Sequence, residues 1–430
     1  MNAADTIFAL SSGSPPAAIA IIRISGSRAF DAVRLLARRV PESRRASLAT
    51  LRAPSDGAFL DQALILTFVG PDTATGEDLA ELHLHGGRAV VNAVQEALSA
   101  MEGLRRAEPG EFTRRAFANG RMDLNEAEGL ADLLTAETEW QRRAASAMMG
   151  GAFSKRIEDW RNDLLNLSAL TEAELDFSDE DDVSSQNKNH ISDGCMKLHD
   201  TIGSILAVPA AEKLRDGLRV VLGGPPNCGK STLLNALVAR EAAIVSDIAG
   251  TTRDLIEVPV AIAGIPFVFI DSAGVRDGTT DRIEAIGIER TRAAFDIADM
   301  VLWLGDEGAG PEHSNLFEIE AKADEIAVRK SPGAFRISAL TGKGMSDLVN
   351  ALTARAESML PPIDQFATNA RQRRLLTDAA SALCSAAAAD DWLITAEQLR
   401  QARLALDALT GRAHTEDMLD ALFERFCVGK

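Results

Sequence analysis

The chain has 430 residues, 46% of them hydrophobic and 25% charged, with a formal net charge of −18. That length exceeds what one hydrophobic core organises and asks for two or three domains. So acidic a balance excludes broad nonspecific attraction to nucleic acid, which needs concentrated Lys and Arg. Residues 1–118 mix short β-rich runs, AIAIIRI and QALILTFV, with helical stretches and predict an α/β domain. Residues 119–212 carry apolar residues at helical spacing, as in LADLL and WRNDLLNLSAL, broken by the acidic run Asp176–Asp182 and the polar stretch Ser184–Asn189. A second α/β pattern occupies 213–358, and after Pro361 and Pro362 the remainder, 359–430, returns to helix.

The second α/β region carries the chemistry. Gly224 to Ser231 read GPPNCGKS between an apolar run, Leu218–Leu222, and the helix-forming STLLNALVAR. This is a phosphate-binding loop in its setting. Gly224 and Gly229 permit the turn, N–H groups from Asn227 through Cys228, Gly229, Lys230, Ser231 and Thr232 cradle phosphate oxygens, Lys230 adds charge, and Ser231 offers a hydroxyl to Mg²⁺. GTTRD follows at Gly250–Asp254, and the apolar run Phe267–Ile270 ends in DSAG, Asp271–Gly274. That order is the order of a switch GTPase. Thr252 is expected on Mg²⁺ when a γ-phosphate is present, Asp271 holds the ion one layer further out, and Gly274, after Ser272 and Ala273, brings its N–H to the γ-phosphate.

In Ras-like proteins a glutamine follows the DxxG glycine and positions the attacking water, but here Val275 has no polar atom. Glu284 and Glu289, in IEAIGIER, are the ionisable candidates to replace it, set against a solvated helix face for each. For the guanine base the motif NKxD is expected, and the candidate in the right interval is AKAD, Ala321–Asp324. Asp324 keeps the acceptor for the guanine edge and Lys322 can lie along the base. Ala321 lacks the amide that would brace the phosphate loop. A lost hydrogen bond costs about 1 kcal/mol, up to ~3 where partners are stranded, so nucleotide affinity is expected to fall tenfold or more. Ser338, Ala339 and Leu340 complete the base pocket.

These motifs predict a fold of multidomain α/β plus α class: an N-terminal α/β domain, a discontinuous helical domain, and a Ras-like α/β G domain inserted between its two helical parts. The flanking helices could then feel the nucleotide state.

The four cysteines, Cys195, Cys228, Cys384 and Cys427, are far apart with no CxxC pair, which suggests neither zinc nor a disulfide framework. Cys427 is open between packing and function. No apolar run approaches the ~20 residues of a membrane span, and Asp5 and the early prolines spoil a signal peptide, so a cytoplasmic location without membrane contact is expected. Arginines at Arg34, Arg38 and Arg39, at Arg44 and Arg45, and at Arg114 and Arg115 are candidates for local nucleic-acid contact, against solvated helix faces.

Further blocks lie outside the GTPase motifs. DTIFAL and IAIIRISG open the chain, GEDLAELHLHGG spans Gly76–Gly87, PGEFTRRAFANGRMDLNEAEGLADLL spans Pro109–Leu134, and the last residues are FCVGK. With these the chain resembles the MnmE (formerly TrmE) family of tRNA-modification GTPases. The resemblance covers both ends and the middle, and it implies a potassium ion and a glutamate in place of the glutamine and an arginine finger. Asn227 matches the potassium-binding asparagine. Ser246, Asp247, Ile248, Ala249, Gly250, Thr251 and Thr252 match the loop that wraps the ion, with Ser246, Ile248 and Thr251 around it. Glu284 matches the water-orienting glutamate, so Glu284, Lys230 and Thr252 are the expected catalytic set, completed when two G domains face each other. Arg276 reads as structural.

The family resemblance further implies that 1–118 binds folate and dimerises, with Arg23, Glu81, Arg121 and Lys430 as contacts to a tetrahydrofolate derivative, 5-formyl- or 5,10-methylene-tetrahydrofolate. A carboxylate suits the paired donors of a pterin, and cations suit glutamyl carboxylates. The implied activity is modification of the tRNA wobble uridine at carbon five to a carboxymethylaminomethyl or aminomethyl derivative. The implied partners are a second copy of the chain, tRNA, and a FAD-dependent protein of the MnmG/GidA type in a heterotetramer. The competing readings are a ribosome-assembly GTPase, whose appended RNA-binding domains are absent here, and a nucleotide-binding scaffold with decayed hydrolysis, motivated by Ala321.

Overall fold

Strands β1 (Thr6–Leu10) and β2 (Ile19–Ser25) begin a computed structural model that describes residues 5–176, 184–240, 242–243, 256–271, 292–324, 330–362, 366–413, 416–424 and 426–429. By contacts the chain divides into two units, residues 1–131 with 407–430, and residues 132–406.

In the first unit follow α1 (Ala29–Ala37), β3 (Ser47–Arg52), β4 (Phe59–Phe68), β5 (Leu79–His85), α2 (Arg88–Ser99), β6 (Leu104–Arg106) and α3 (Glu111–Ala118). Among the described residues the sheet has six strands in the order β3-β4-β5-β2-β1-β6, antiparallel throughout except for β6 beside β1. Strand side chains alternate between faces, so Ile22 and Ile24 enter the core while Arg23 points to the other face. The core joins Ile22, Ile24, Ile65 and Leu82 to Val33 and Leu36 of α1 and Val94 and Leu98 of α2. α4 (Leu124–Thr135) runs across the division between units.

The second unit opens with α5 (Glu139–Met149), α6 (Ala152–Asp176), α7 (Ser184–Leu206) and α8 (Glu212–Asp216). Thr138 and Gln141 form a reciprocal capping box at the start of α5. Then come β7 (Leu218–Gly223), α9 (Lys230–Arg240), β8 (Ala242–Ala243), β9 (Ile256–Ile262), β10 (Ile265–Asp271), β11 (Met300–Trp303), β12 (Leu316–Glu320), β13 (Phe335–Arg336) and α10 (Met345–Glu357). Seven described strands order as β13-β12-β11-β7-β10-β9-β8. β7, β10, β11, β12 and β13 are parallel, and the β9–β10 pair is antiparallel. β7 is buried along nearly its whole length, as a central parallel strand covered on both faces must be.

α11 (Ala370–Ala388), capped by Asn369 and Gln372, packs along α7, and α12 (Trp392–Thr410) and α13 (Glu416–Phe423) complete the chain. Arg373 donates to the carbonyls of Leu206 (2.6 Å) and Val208 (2.8 Å) and so closes the end of α7. Helices from before and after the G domain thus share one layer. The α/β, helical and Ras-like α/β parts expected from the sequence are all present, with the helical part discontinuous. No helix among the described residues is long and apolar enough to cross a membrane.

Candidate functional site

β7 delivers the chain into the phosphate-binding loop. Gly224 has φ +142°, and a Cβ there would lie 2.9 Å from the backbone nitrogen of Gly305, so this position needs glycine for both conformation and space. Asn227 adopts φ +60° and Gly229 φ +107°. α9 begins at Lys230, which places the N-terminal end of a helix dipole and its free N–H groups at the loop. Lys230 is buried, and its ammonium donates to the carbonyls of Gly224 (2.8 Å) and Pro225 (2.9 Å), with Cys228 Sγ 3.9 Å away. Ser231 Oγ donates to Asp271 Oδ2 at 2.6 Å, joining the loop to the end of β10. The two oxygen groups form the hard donor set that Mg²⁺ accepts.

The residues expected on the base side lie at the ends of β12 and β13. Ala323 N donates to the Ile337 carbonyl (2.9 Å), which ties the AKAD turn to the Ser338 loop. The hydroxyl of buried Ser338, the N–H of Asp324 itself and the charges of Lys322 and Lys343 hold the Asp324 carboxyl below its usual range, ready to accept. Lys322 has φ +61° and is exposed, and Leu340 is exposed. A Cβ on Gly229 would stand 3.6 Å from Ala321 Cβ, so position 321 adjoins the phosphate loop.

In the first unit, β2 and β5 pair with Arg23 directly opposite Glu81. Arg23 Nη2 donates to Glu81 Oε1 at 3.0 Å and Nε at 3.3 Å, and the guanidinium lies 5.9 Å from the centroid of the Phe112 ring. His83 Nε2 is 3.3 Å from Glu81 Oε2. Arg121 Nη1 reaches Asp72 Oδ1 at 3.4 Å. The chain end lies along this unit: Ser11 Oγ donates to the Gly429 carbonyl (2.8 Å), and Pro109 bridges Val428.

Family comparison agrees across the chain. The description "GTP-binding protein TrmE N-terminus" matches residues 6–121, and "MnmE helical domain" matches residues 124–427. The chain is 57% identical to a tRNA modification GTPase MnmE of Novosphingobium aromaticivorans over 99% of its own length and 100% of that protein. It is 57% identical to the protein of that name from Erythrobacter litoralis (99% and 100% covered), and 55% identical to that of Rhizorhabdus wittichii (100% and 97%). The chain belongs to the MnmE family. Among solved structures, Era of Aquifex aeolicus bound to GDP·AlF4⁻ matches 39% of this chain and 69% of that one at 22% identity and a TM-score of 0.26.

For an MnmE-family chain, the described residues hold part of each expected site. Asn227, Cys228, Gly229, Lys230, Ser231, Thr232 and Asp271 gather at the phosphate loop, and Lys322, Asp324, Ser338, Ala339 and Leu340 at the base side. Ser246, Asp247, Ile248, Ala249, Gly250, Thr251, Thr252, Ser272, Ala273, Gly274, Glu284 and Lys430 lie outside the described residues. Arg23 and Glu81 touch, whereas Arg121 is engaged with Asp72 instead. Sequence reading missed His83, Phe112 and Asp72. The period-two alternation of β5 puts His83 on the face of Glu81 and could have found it; Phe112 and Asp72 approach only through the tertiary fold.

Proposed function

We propose that this MnmE-family chain is a potassium-activated GTP hydrolase in tRNA modification. With a FAD-dependent MnmG/GidA-type partner, it modifies the wobble uridine at carbon five, using a tetrahydrofolate derivative as one-carbon donor. The observation that carries the reading is the joint placement of Lys230 on the loop carbonyls and Ser231 at 2.6 Å from Asp271. Lys230 and the loop N–H groups bind the phosphates, Ser231 and Thr252 would hold Mg²⁺, and Glu284 orients the attacking water. Asn227, with Ser246, Ile248 and Thr251, would hold a potassium ion, which when bound would supply positive charge to stabilise the negative charge developing during hydrolysis. Val275 offers no polar atom to position that water.

In the first unit, Glu81 is a partly exposed carboxylate facing cationic Arg23, a pair whose chemistry fits pterin donors and glutamyl carboxylates. Arg121 and Lys430 complete that set. The domains run 1–118, 119–212, 213–358 and 359–430; the protein works as a cytoplasmic homodimer through the N-terminal domain and as a heterotetramer with its partner.

GTP turnover in potassium against sodium buffer tests the reading. Turnover is expected to rise severalfold or more in potassium and to vanish in Lys230→Ala. Equal rates in both buffers would remove the potassium mechanism, and a turnover too slow to detect in either would favour the scaffold reading that Ala321 motivates. Binding of 5-formyltetrahydrofolate, expected to be lost in Glu81→Gln, tests the one-carbon site separately.

A further inference from the structure

Between Arg28 and Arg45 the sequence holds six arginines and two carboxylates, a local excess of positive charge in a chain whose net charge is −18. The fold sorts the arginines of this unit. Arg114 pairs with Asp420 (2.6 Å), and Arg115 is bound to Glu77 (3.1 Å) and Glu111 (3.2 Å) in a mostly buried network, so both are committed to the unit's own stability. Arg34 and Arg45 pair with Asp31 and Glu42. Arg38, Arg39 and Arg44 are exposed and have no carboxylate within ion-pair distance among the described residues.

Two of them, Arg39 and Arg44, are fixed by neutral partners. Arg39 Nη2 donates to the Leu48 carbonyl at 2.7 Å. Arg44 donates its backbone N–H to Thr67 (2.7 Å) and a guanidinium N–H to the Asp72 carbonyl, and its guanidinium lies 5.7 Å from the centroid of the Phe68 ring. Leu48 pairs with Leu64, and Thr67 lies three residues further along β4, so the two anchoring points are about 10 Å apart. Arg38 sits at the left-handed C-cap of α1 next to them. The face also continues into the proposed one-carbon site, because Asp72, whose carbonyl accepts from Arg44, accepts through its carboxylate from Arg121.

We propose that Arg38, Arg39 and Arg44 form the docking face for the phosphate backbone of the tRNA, beside the folate site that must meet the wobble base. The proposal rests on the tRNA reading given above. The planar guanidinium groups of Arg39 and Arg44, held by carbonyls and a ring, offer preset forks to phosphate oxygens, Arg38 adds a third cation, and no carboxylate among the described residues pairs with any of the three. Phosphate contacts of this kind set register without reading sequence. In a chain with a net charge of −18, a local excess of positive charge also helps to orient the RNA.

The test is the affinity of the full-length chain for a labelled tRNA transcript with uridine at the wobble position, followed across salt concentration. Arg38→Gln, which breaks no hydrogen bond among the described residues, is expected to reduce the slope of log affinity against log salt by about 1. Arg38→Gln combined with Arg39→Gln and Arg44→Gln is expected to weaken binding about 10- to 100-fold at low salt and reduce the slope by about 2 to 3. A control with Arg142→Gln, Arg143→Gln and Arg400→Gln, arginines paired on exposed helices with Glu139 and Glu397, is expected to keep wild-type affinity. Equal affinity and slope in wild type and both docking variants overturns the face while leaving the tRNA reading intact. So does an equal loss in the control, which would make the contact diffuse. Loss of binding to phosphatidylglycerol vesicles with tRNA affinity unchanged would assign the face to a lipid and overturn it as well. A wild-type chain that turns over GTP but binds no tRNA removes the tRNA reading itself.

Discussion

Ser231 Oγ stands 2.6 Å from Asp271 Oδ2, so the first turn of α9 and the last residue of β10 meet at the proposed Mg²⁺-nucleotide site. Asp271 is buried and paired in register with Leu222 of β7, which keeps its carboxylate at the loop. Asp271→Asn keeps the shape and removes the charge. The Mg²⁺ concentration for half-maximal GTP turnover is expected to rise tenfold or more, since a hydrogen bond to a charged group contributes about 1.5–3 kcal/mol. A Mg²⁺ titration of turnover checks this, and an unchanged midpoint would remove Asp271 from the metal site.

Ala321 stands where an amide could reach the phosphate loop at Gly229. Ala321→Asn is therefore expected to tighten GDP binding about tenfold, from one hydrogen bond of about 1 kcal/mol or somewhat more. Titration calorimetry with GDP reads the change. Affinity that does not move would mean that AKAD does not hold the base.

Glu111 is buried at 1% exposure beneath Arg105 and Arg115, with Arg105 at 2.5 and 2.8 Å. Burial by itself pushes its carboxyl up, but the hydrogen bonds from Arg105 and the Glu108 N–H, with the charges of Arg105 and Arg115, outweigh it and hold the group below its ordinary 4.5. A depressed folded value means the stabilisation is fully present above pH 4.5 and is lost as pH falls through the folded value. Glu111→Gln is expected to cost about 1.5–3 kcal/mol near neutral pH, because it removes charged hydrogen bonds from Arg105 and Arg115 and leaves them Asp5 and Glu77 as their remaining carboxylates. The gap between variant and wild type should shrink below the ordinary carboxylate range. Thermal unfolding of both proteins near pH 7 and near pH 4 measures it, and a gap that stays constant would contradict the account.

Cys195 is fully buried on α7, and burial pushes its thiol up to about 11. Cys384 and Cys427 are exposed. A disulfide reagent at pH ~8 is expected to label the two exposed thiols in the native protein and Cys195 only after denaturation. Mass-spectrometric mapping of labelled peptides decides it; equal labelling rates would show that α7 is not packed as described.

Spacing made the phosphate loop legible. GPPNCGKS between an apolar run and a helix former requires strand, turn and helix in that order, and β7 and α9 fall at those positions. The discontinuous helical layer was legible for a similar reason, since the helical periods stop and resume on either side of the G-domain pattern. Less legible was the fate of the arginines. Arg38 and Arg115 look alike as members of RR pairs, yet one is exposed without a carboxylate partner and the other is sealed between Glu77 and Glu111.

Local sequence determined the family, the order of the motifs and the elements that carry them, because each depends on neighbours a few residues apart and on the periods of helix and strand. Tertiary structure decided the pairing of Arg23 with Glu81, the tie between Ser231 and Asp271, and which arginines meet a carboxylate among the described residues. Those outcomes join residues 58 and 40 positions apart, and only chain folding brings such groups within the few ångströms over which hydrogen bonds and ion pairs act.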